Sequence, residues 1–244
     1  MEQELQLIAQ RLNKALYRRG EETIKLFDDC IAAPDVLSEA LNQARAQQTG
    51  LPVPRLHEVT KCGGKWAIIS DFIEGENMWT LMQAARPADA LMERFVELQM
   101  RVHGTTFRQF TDMRAKYQRK ISASGLDATT RYELHNRLDA MPRHDKICHG
   151  DFVPSNIILR DGAPFIIDWA HVTQGNAAAD AANTWLAFMK IGETELAERY
   201  IKYYCEKSDT ARQYVQKWTP IVAASKLAKC AEADRAFYVL HSEV

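Results

Sequence analysis

The spacing of hydrophobic residues changes near residue 75 of the chain. Before this point, short apolar runs such as ETIKLF and KWAIISDFI are separated by turns. Gly20 and the pair Gly63–Gly64 suit the tight turns that join antiparallel strands. One segment, Pro34–Gly50, has an apolar stripe at helical spacing between a proline that suits a helix start and a glycine that suits its end. This part of the chain therefore predicts a small β-sheet with one helix.

Helical spacing dominates the remainder of the chain. Asp89 suits an N-cap, and apolar residues then repeat on one helix face up to Gly104. The other predicted helices are Asp127–Met141, Ala177–Ile191, Glu193–Lys207 and Asp209–Glu243, the last bent or divided at Pro220. We therefore predict an α+β protein with a strand-rich lobe at residues 1–73 and a larger, mostly helical lobe at residues 74–244.

Composition and charge are those of an ordinary globular protein. Hydrophobic residues make up 46% of the 244 positions, and the formal net charge is −1, which gives no electrostatic argument for nucleic-acid binding. The five cysteines form no C-x-x-C pair, so neither a disulfide framework nor a zinc ribbon is indicated. The sequence has no signal-peptide pattern and no apolar run of about 18 residues. We expect a cytoplasmic protein that does not bind membranes.

A short predicted hairpin carries the candidate chemistry. In SNIILRDGAPFIIDWA, two apolar runs flank a turn around Gly162. Antiparallel pairing about that glycine would place Leu159 opposite Phe165, and Asn156 opposite Asp168 with Cβ atoms about 5 Å apart. A side-chain carbonyl and a carboxylate at that separation can bind one Mg²⁺ ion, which prefers oxygen ligands and takes others from water and phosphate. A register shift of one residue would weaken this interpretation.

A third polar residue, Asp151, lies five positions before Asn156 in a loop that contains proline. A carboxylate set apart from the metal pair can accept a proton from an attacking hydroxyl while the metal neutralises phosphate charge. Aspartate and asparagine are also common in turns, so each residue alone has a purely structural explanation. Together with the hairpin, they predict a metal–phosphate site in which Asp151 is the catalytic base.

The motifs CHGDFVPSNIIL and FIIDWA together resemble the signature of the aminoglycoside phosphotransferase and choline kinase family, whose members have a bilobed protein-kinase-like fold. Protein kinases have a lysine two positions after the catalytic aspartate, whereas this chain has Val153. The resemblance therefore implies a small-molecule kinase rather than a protein kinase. Short bacterial members of unassigned substrate are particularly similar.

The resemblance covers most of the chain and implies roles for further residues. Lys25, in ETIKLF, would bind the nucleotide phosphates, with Glu39 as its ion-pair partner. The backbone from Asp71 to Ile73 would meet the nucleotide base. Asp180, in GNAAADAANTW, would secure the catalytic loop through hydrogen bonds.

Two histidines near these motifs have indirect predicted roles. His149 is expected to support the catalytic loop by hydrogen bonding instead of acting as the base. His103, which precedes Gly104, is expected to cap the end of its helix, where a positive charge is favourable.

The segment that matches the phosphate-covering loop of the family, AQRLNKALYRRG, has no glycine before Gly20. Glycines let backbone N–H groups approach phosphate closely. Their absence keeps open a second function, that of a catalytically weak or silent nucleotide-binding protein or scaffold of the same fold.

Taken together, these features predict an O-phosphotransferase that uses Mg²⁺ and either ATP or GTP and acts on a hydroxyl of a small molecule. Acidic residues that suit an amine-bearing, aminoglycoside-like sugar are Glu193, Glu195, Glu198 and Asp234. Aromatic residues that suit a choline-like cation, although most fit a core equally well, are Trp185, Tyr200, Tyr203, Tyr204 and Trp218. The sequence leaves the acceptor, the nucleotide and the oligomeric state open.

Overall fold

The computed structural model describes residues 5–11 and 13–243, which form two compact units. The first unit contains the chain up to Leu81 together with Pro154–His171, and the second contains Met82–Val153 together with the chain from Val172. The hairpin that carries Asp168 thus groups with the first unit. The division into lobes at residues 1–73 and 74–244 stays a prediction.

The elements follow in chain order. The strands are β1 (Gln6–Gln10), β2 (Lys14–Arg19), β3 (Glu22–Phe27), β4 (Leu56–Cys62), β5 (Lys65–Asp71), β6 (Glu76–Asn77), β7 (Lys146–Cys148), β8 (Ile157–Arg160), β9 (Ala163–Ile166) and β10 (Thr173–Gly175). The helices are α1 (Ala33–Gln47), α2 (Met78–Ala84), α3 (Asp89–Gly104), α4 (Met113–Ser122), α5 (Ala128–Ala140), α6 (Ala177–Lys190), α7 (Thr194–Ser208), α8 (Arg212–Leu227) and α9 (Glu232–Leu240).

An antiparallel sheet with the order β1-β2-β3-β5-β4 forms the main part of the first unit. Both predicted hairpin turns are confirmed, since β2 pairs with β3 across Gly20 and β4 pairs with β5 across Gly63–Gly64. These three glycines all have positive φ, the backbone conformation that glycine adopts without strain. The predicted helix is α1, which packs on the sheet through Val36 and Ala40 against Phe27 of β3.

The second sheet of this unit has the order β6-β8-β9 and contains the predicted hairpin. The predicted register is wrong by one residue: Leu159 lies opposite Pro164, and the Ile167 N–H donates to the Asn156 carbonyl at 2.9 Å. The cause is the turn, which has two residues, Asp161 and Gly162, both at positive φ, instead of being centred on the glycine. Asn156 therefore has Ile167, and not Asp168, as its cross-strand neighbour.

The second unit is mostly helical, as expected, but its boundaries differ from the sequence pattern in two ways. The short helices α2 and α4 are present although no pattern predicted them. Pro220 lies inside a continuous α8, and the chain divides at residues 228–231 instead. The helix continues through the proline because buried residues on both sides of it, Trp218 and Ile221, pack in the core.

Aromatic residues fill the centre of the second unit. The ring of Phe95 on α3 lies 4.8 Å from that of Phe152 and 5.9 Å from that of Tyr200, measured between centroids. Tyr204 and Trp218 are also buried, so three of the five aromatic residues considered for a cation site belong to the core. Within the described ranges, no helix is long and apolar enough to cross a membrane.

Candidate functional site

Lys25 is held between two carboxylates of the first unit. Alternation along β3 places it on the same sheet face as Phe27, which packs against α1, so its side chain points toward that helix. There the Lys25 ammonium donates to the Glu39 carboxylate of α1 and, at 3.2 Å, to Oδ1 of Asp168. The structure thus brings together three of the residues that the sequence singled out.

Asp168 follows β9 with a left-handed backbone conformation, φ 61°. A non-glycine residue in this region costs about 1 kcal/mol or more, although aspartate tolerates it better than most residues. The segment after it is anchored, because the Trp169 indole N–H donates to the Ile166 carbonyl at 2.9 Å and Trp169 is buried. The chain therefore turns away from the direction of β9 at Asp168, and the carboxylate of this residue contacts Lys25.

A second lysine, Lys14, contacts the same carboxylate, and sequence reasoning missed it. Its Nζ lies 3.6 Å from Oδ2 of Asp168. The register explains this, since Lys14 lies opposite Phe27 and therefore shares the sheet face of Lys25. The available signal was the strand alternation of KALYRRG, read together with that of ETIKLF.

Electrostatics keep this group of side chains charged. Burial alone would favour protonated Asp168, but the charges of Lys25 and Lys14 outweigh burial and hold the pKa of Asp168 well below its ordinary value. Burial likewise opposes the charge on Lys25, but Asp168 and Glu39 outweigh it and raise the pKa of Lys25. The pKa of Lys14 is lowered by burial and by the neighbouring charge of Lys25.

The donor set fits a hard divalent cation. Asp168 supplies an ionised carboxylate, and Asn156, half-buried at the end of the short 3₁₀ turn Pro154–Asn156, supplies an amide oxygen. No group of three His, Cys, Asp or Glu side chains able to hold a metal occurs in the part of the chain that the structure describes. Mg²⁺ suits such a pair, because it keeps several waters and takes phosphate oxygens as further ligands.

The segment proposed to meet the nucleotide base has only part of its backbone available. The Asp71 N–H donates to the Arg55 carbonyl at 2.9 Å, and the Phe72 carbonyl accepts from Arg160 at 2.9 Å. The carboxylate of Asp71 is engaged as well, with the Arg55 N–H at 2.9 Å. In contrast, the Ile73 N–H and carbonyl have no hydrogen bond to any residue in 5–11 or 13–243. Of the backbone groups compared, the N–H and carbonyl of Ile73 are therefore the ones available to a ligand.

In the second unit, Asp180 holds the loop that contains Asp151. Its Oδ2 accepts from the His149 N–H at 3.1 Å, and its Oδ1 accepts from the Gly150 N–H at 2.7 Å. The Asp151 N–H in turn donates to Nδ1 of His149 at 3.3 Å. Gly150 has φ 78°, which lets two successive amides converge on one carboxylate.

Helix α6 and helix α3 supply further supports that sequence reasoning missed. Asn183 donates to the Gly150 carbonyl at 2.9 Å, and the Thr184 hydroxyl donates to the Phe152 carbonyl at 2.8 Å. Both residues follow Asp180 at helical spacing, which was the available signal. The prediction that His103 caps its helix is wrong, because its Nε2 lies 3.1 Å from Oδ2 of Asp180 inside the core.

The Asp180 carboxylate remains ionised although it is almost fully buried. Burial alone would raise its pKa, but the hydrogen bond and charge of His103, the charge of His149 and the Gly150 N–H together lower the pKa of Asp180 below its ordinary value. Gln99, one helical turn before His103, adds a weak donor at 3.5 Å. A buried charge with several donors is a rigid anchor for the loop.

The comparisons with known proteins agree with this geometry. A family model described as the phosphotransferase enzyme family matches residues 17–217. No curated protein matches the sequence.

Three solved structures illustrate the likeness of fold. A thermostable mutant of aminoglycoside phosphotransferase APH(4)-Ia, in ternary complex with AMP-PNP and hygromycin B, has a TM-score of 0.72 at 12% identity, covering 98% of this chain and 91% of that one. Aminoglycoside-3'-phosphotransferase of type VIII has a TM-score of 0.67 at 17% identity, covering 98% and 93%. A choline/ethanolamine kinase family protein from Mesorhizobium loti has a TM-score of 0.62 at 17% identity, covering 98% and 85%.

These structural likenesses confirm the predicted α+β, protein-kinase-like fold. The family model covers most of the chain and confirms the prediction of a small-molecule kinase. The chain belongs to the phosphotransferase enzyme family.

Proposed function

We propose that this protein transfers the γ-phosphate of ATP or GTP to a hydroxyl group of a small molecule. The observation that carries the proposal is the position of Lys25 between Glu39 and Asp168. An ammonium group held by two carboxylates is preorganised to bind nucleotide phosphates, because its position does not depend on the ligand. The cytoplasm is the proposed compartment.

In the proposed mechanism, Asp151 acts on the acceptor. Its carboxylate orients the hydroxyl and takes the proton as the hydroxyl oxygen bonds to the γ-phosphorus and the bond to the β-phosphate oxygen breaks. Asp180 and His149 support this step by holding the Asp151 backbone, as the hydrogen bonds of 2.7 to 3.3 Å indicate. Neither of them is proposed to transfer a proton.

Lys25 and Lys14 are proposed to bind the phosphates, and Asn156 and Asp168 to hold Mg²⁺. When bound, the metal would neutralise charge on the phosphate oxygens. If Asp168 held the metal, Glu39 would still position Lys25, and both lysines could bind anionic phosphate oxygens. The nucleotide base is proposed to bond to the backbone of Ile73, since Asp71 and Phe72 are already engaged.

A second candidate, a catalytically weak or silent nucleotide-binding protein, is favoured by one observation. The connection between β1 and β2 has no glycine, and its central residue, Leu12, lies outside the described residues. Lys14 at the start of β2 offers a cation where the family usually offers backbone N–H groups, which supports retained phosphate binding. Activity measurements separate the two candidates.

The test is transfer of radiolabelled γ-phosphate, with release of ADP or GDP measured in parallel. Asp151→Asn should lower kcat by about 10²- to 10⁴-fold, the usual contribution of a general base, while leaving nucleotide affinity unchanged. The matched control is Asp145→Asn, which removes an exposed carboxylate that pairs with Arg108 and should behave as wild type. Equal nucleotide turnover in wild type and Asp151→Asn would contradict the enzyme proposal and favour the silent candidate.

A further inference from the structure

Helices α4 and α8 of the second unit pack against each other and place two lysines near Asp151. The helices meet through Tyr117 of α4 and Trp218 of α8, whose ring centroids are 6.5 Å apart. Lys120 lies three residues after Tyr117. Burial lowers the pKa of Lys120 and that of Lys226 on α8, and the charge of Asp151 opposes this lowering at both lysines. Both cations are therefore within electrostatic reach of the proposed base.

Neither lysine is an ordinary surface residue. Lys226 continues the stripe of α8 formed by Trp218 and Val222, at intervals of four residues, and both of those side chains are buried. Lys120 follows Tyr117, whose ring is buried, and Lys120 itself is only partly exposed. Both side chains are thus partly withdrawn from solvent, where an uncompensated charge is unfavourable.

The protein itself does not neutralise these two charges through ion pairs. Across residues 5–11 and 13–243, neither Lys120 nor Lys226 has a carboxylate oxygen within 4.0 Å. In contrast, the buried charges of Lys25 and Asp180 have partners of opposite charge or hydrogen-bond donors within reach. Two half-buried ammonium groups without an ion pair among the described residues are therefore suited to an anion that the protein does not supply.

Three of the four acidic residues that would favour a cationic acceptor are paired with basic side chains of the described residues, and Glu195 is the exception. Glu193 pairs with Arg86 at 2.6 Å, and Glu198 pairs with Arg212 at 2.8 Å. Asp234 pairs with Lys190 at 3.0 Å. These three pairs reduce the negative charge that the helices offer to an amine-bearing sugar.

We propose that the acceptor of this kinase carries an anionic group, a carboxylate or a phosphate, which Lys120 and Lys226 bind while its hydroxyl lies at Asp151. This inference deepens the proposed function and rests on it for the identity of Asp151 as the base. It assigns the acceptor to hydroxy acids or phosphorylated alcohols instead of the cationic amines.

The ionisation of the lysines agrees with this assignment. Burial and the neighbouring charge of Lys226 lower the pKa of Lys120 to about 8. Burial likewise lowers the pKa of Lys226, and burial with the charge of Lys120 lowers the pKa of Lys116, one turn earlier on α4, to about 7. An anion bound beside these lysines would stabilise their protonated, positively charged forms. Binding would therefore increase the positive charge that faces the anion.

Matched acceptors test the inference. Each set keeps one skeleton and varies one group: glycerol, glycerate, glycerol phosphate and serinol, then glucose, glucuronate, glucose 6-phosphate and glucosamine. We expect phosphate transfer to the anionic members of each set, and we expect calorimetry to detect their binding. Comparison of the carboxylate with the phosphate member identifies which anion the site prefers. Preference for serinol or glucosamine, or equal use of the neutral members, would overturn the inference while leaving the proposed transfer reaction intact.

Variants tie the binding to the two lysines. Lys120→Gln and Lys226→Met should each weaken binding of the anionic acceptor by about 10-fold or more, the usual effect of losing one charge-assisted hydrogen bond, with nucleotide affinity unchanged. Lys120→Arg should retain binding, and Lys202→Gln on α7, which changes an exposed lysine, should match wild type. Circular dichroism melting checks folding, and methionine preserves the apolar stem of Lys226.

The two proposals fail in different ways. Anion binding that Asp151→Asn retains but Lys120→Gln weakens supports the site, even if no acceptor is phosphorylated and the proposed reaction is wrong. Anion binding that is the same in wild type, Lys120→Gln and Lys226→Met would refute the site, whatever the transfer assay shows.

Discussion

Asp180→Asn tests whether a buried carboxylate organises the loop that contains Asp151. In the structure, Oδ2 of Asp180 faces donors from His149 at 3.1 Å, His103 at 3.1 Å and Gln99 at 3.5 Å, while Oδ1 faces the Gly150 N–H at 2.7 Å. Asparagine can satisfy only one of these two sides with its single oxygen. Its NH₂ group then meets at least one buried N–H donor.

The magnitude follows from these contacts. Each buried donor left unsatisfied costs about 1–3 kcal/mol, and removing one partner of a buried ionic contact costs about 3–5 kcal/mol. We therefore expect Asp180→Asn to lower the free energy of unfolding by about 3–5 kcal/mol, a large share of the roughly 5–15 kcal/mol typical of a protein. The matched control is Asp89→Asn, which removes a solvent-exposed carboxylate that pairs with Arg199 and should change the free energy of unfolding far less than Asp180→Asn.

Urea unfolding followed by circular dichroism measures the stability, and hydrogen exchange measures the loop directly. In Asp180→Asn, the amides of His149 and Gly150 should exchange faster than in wild type, because their acceptor is lost. The kcat for phosphate transfer should fall as well, since Asp151 is no longer held. Stability within about 0.5 kcal/mol of the Asp89→Asn control, with unchanged exchange at residues 149 and 150, would refute the reasoning.

Three further predictions concern other parts of the molecule. Lys25→Met should lower kcat by about 10²-fold or more and raise the nucleotide KM in steady-state assays, because a preorganised cation is lost; wild-type values would contradict its role. Gly75→Ala should lower the free energy of unfolding by about 1–3 kcal/mol in urea titrations, because the new Cβ would lie 2.3 Å from the Leu159 carbonyl oxygen, whereas Gly104→Ala, with no atom within 4 Å, should not. The KM for an anionic acceptor should rise as the pH increases through about 8, since Lys120 is charged below its lowered pKa of about 8 and neutral above it. Lys120→Arg should reduce that rise and leave the part due to Lys226, whose pKa burial also lowers; an unchanged pH profile in this variant would count against the assignment.

Local sequence patterns predicted much of the fold because turns and helices depend on interactions between residues that are close in sequence. The Gly63–Gly64 turn and the helix beginning near Asp89 are confirmed, since positive φ and apolar spacing are properties of short segments. The predicted register of β8 and β9 was wrong by one residue because the turn consists of Asp161 and Gly162, both at positive φ, instead of three residues centred on Gly162. The local sequence does not distinguish a turn of two residues from a turn centred on Gly162.

Contacts between residues far apart in sequence were only partly predicted. Family motifs pointed to Glu39 as the partner of Lys25 and to Asp180 as the anchor of the loop, and the side chains lie where those roles need them. The roles themselves stay predictions. Lys14 was missed, and His103 was wrongly predicted to cap its helix, because each contacts a carboxylate that is far away in sequence.

The sequence by itself determined the main strands and the long helices, the two motifs around Asp151 and Asp168, and the family to which they belong. These depend on residue type and spacing along the chain. Only the tertiary structure decided which partners the buried carboxylates have: two lysines at Asp168, and His103 with two backbone amides at Asp180. Coulomb energy depends on distance and burial, which the chain acquires only on folding. The acceptor question therefore moved from the acidic residues that composition suggests to Lys120 and Lys226, two half-buried cations that have no ion pair among the described residues.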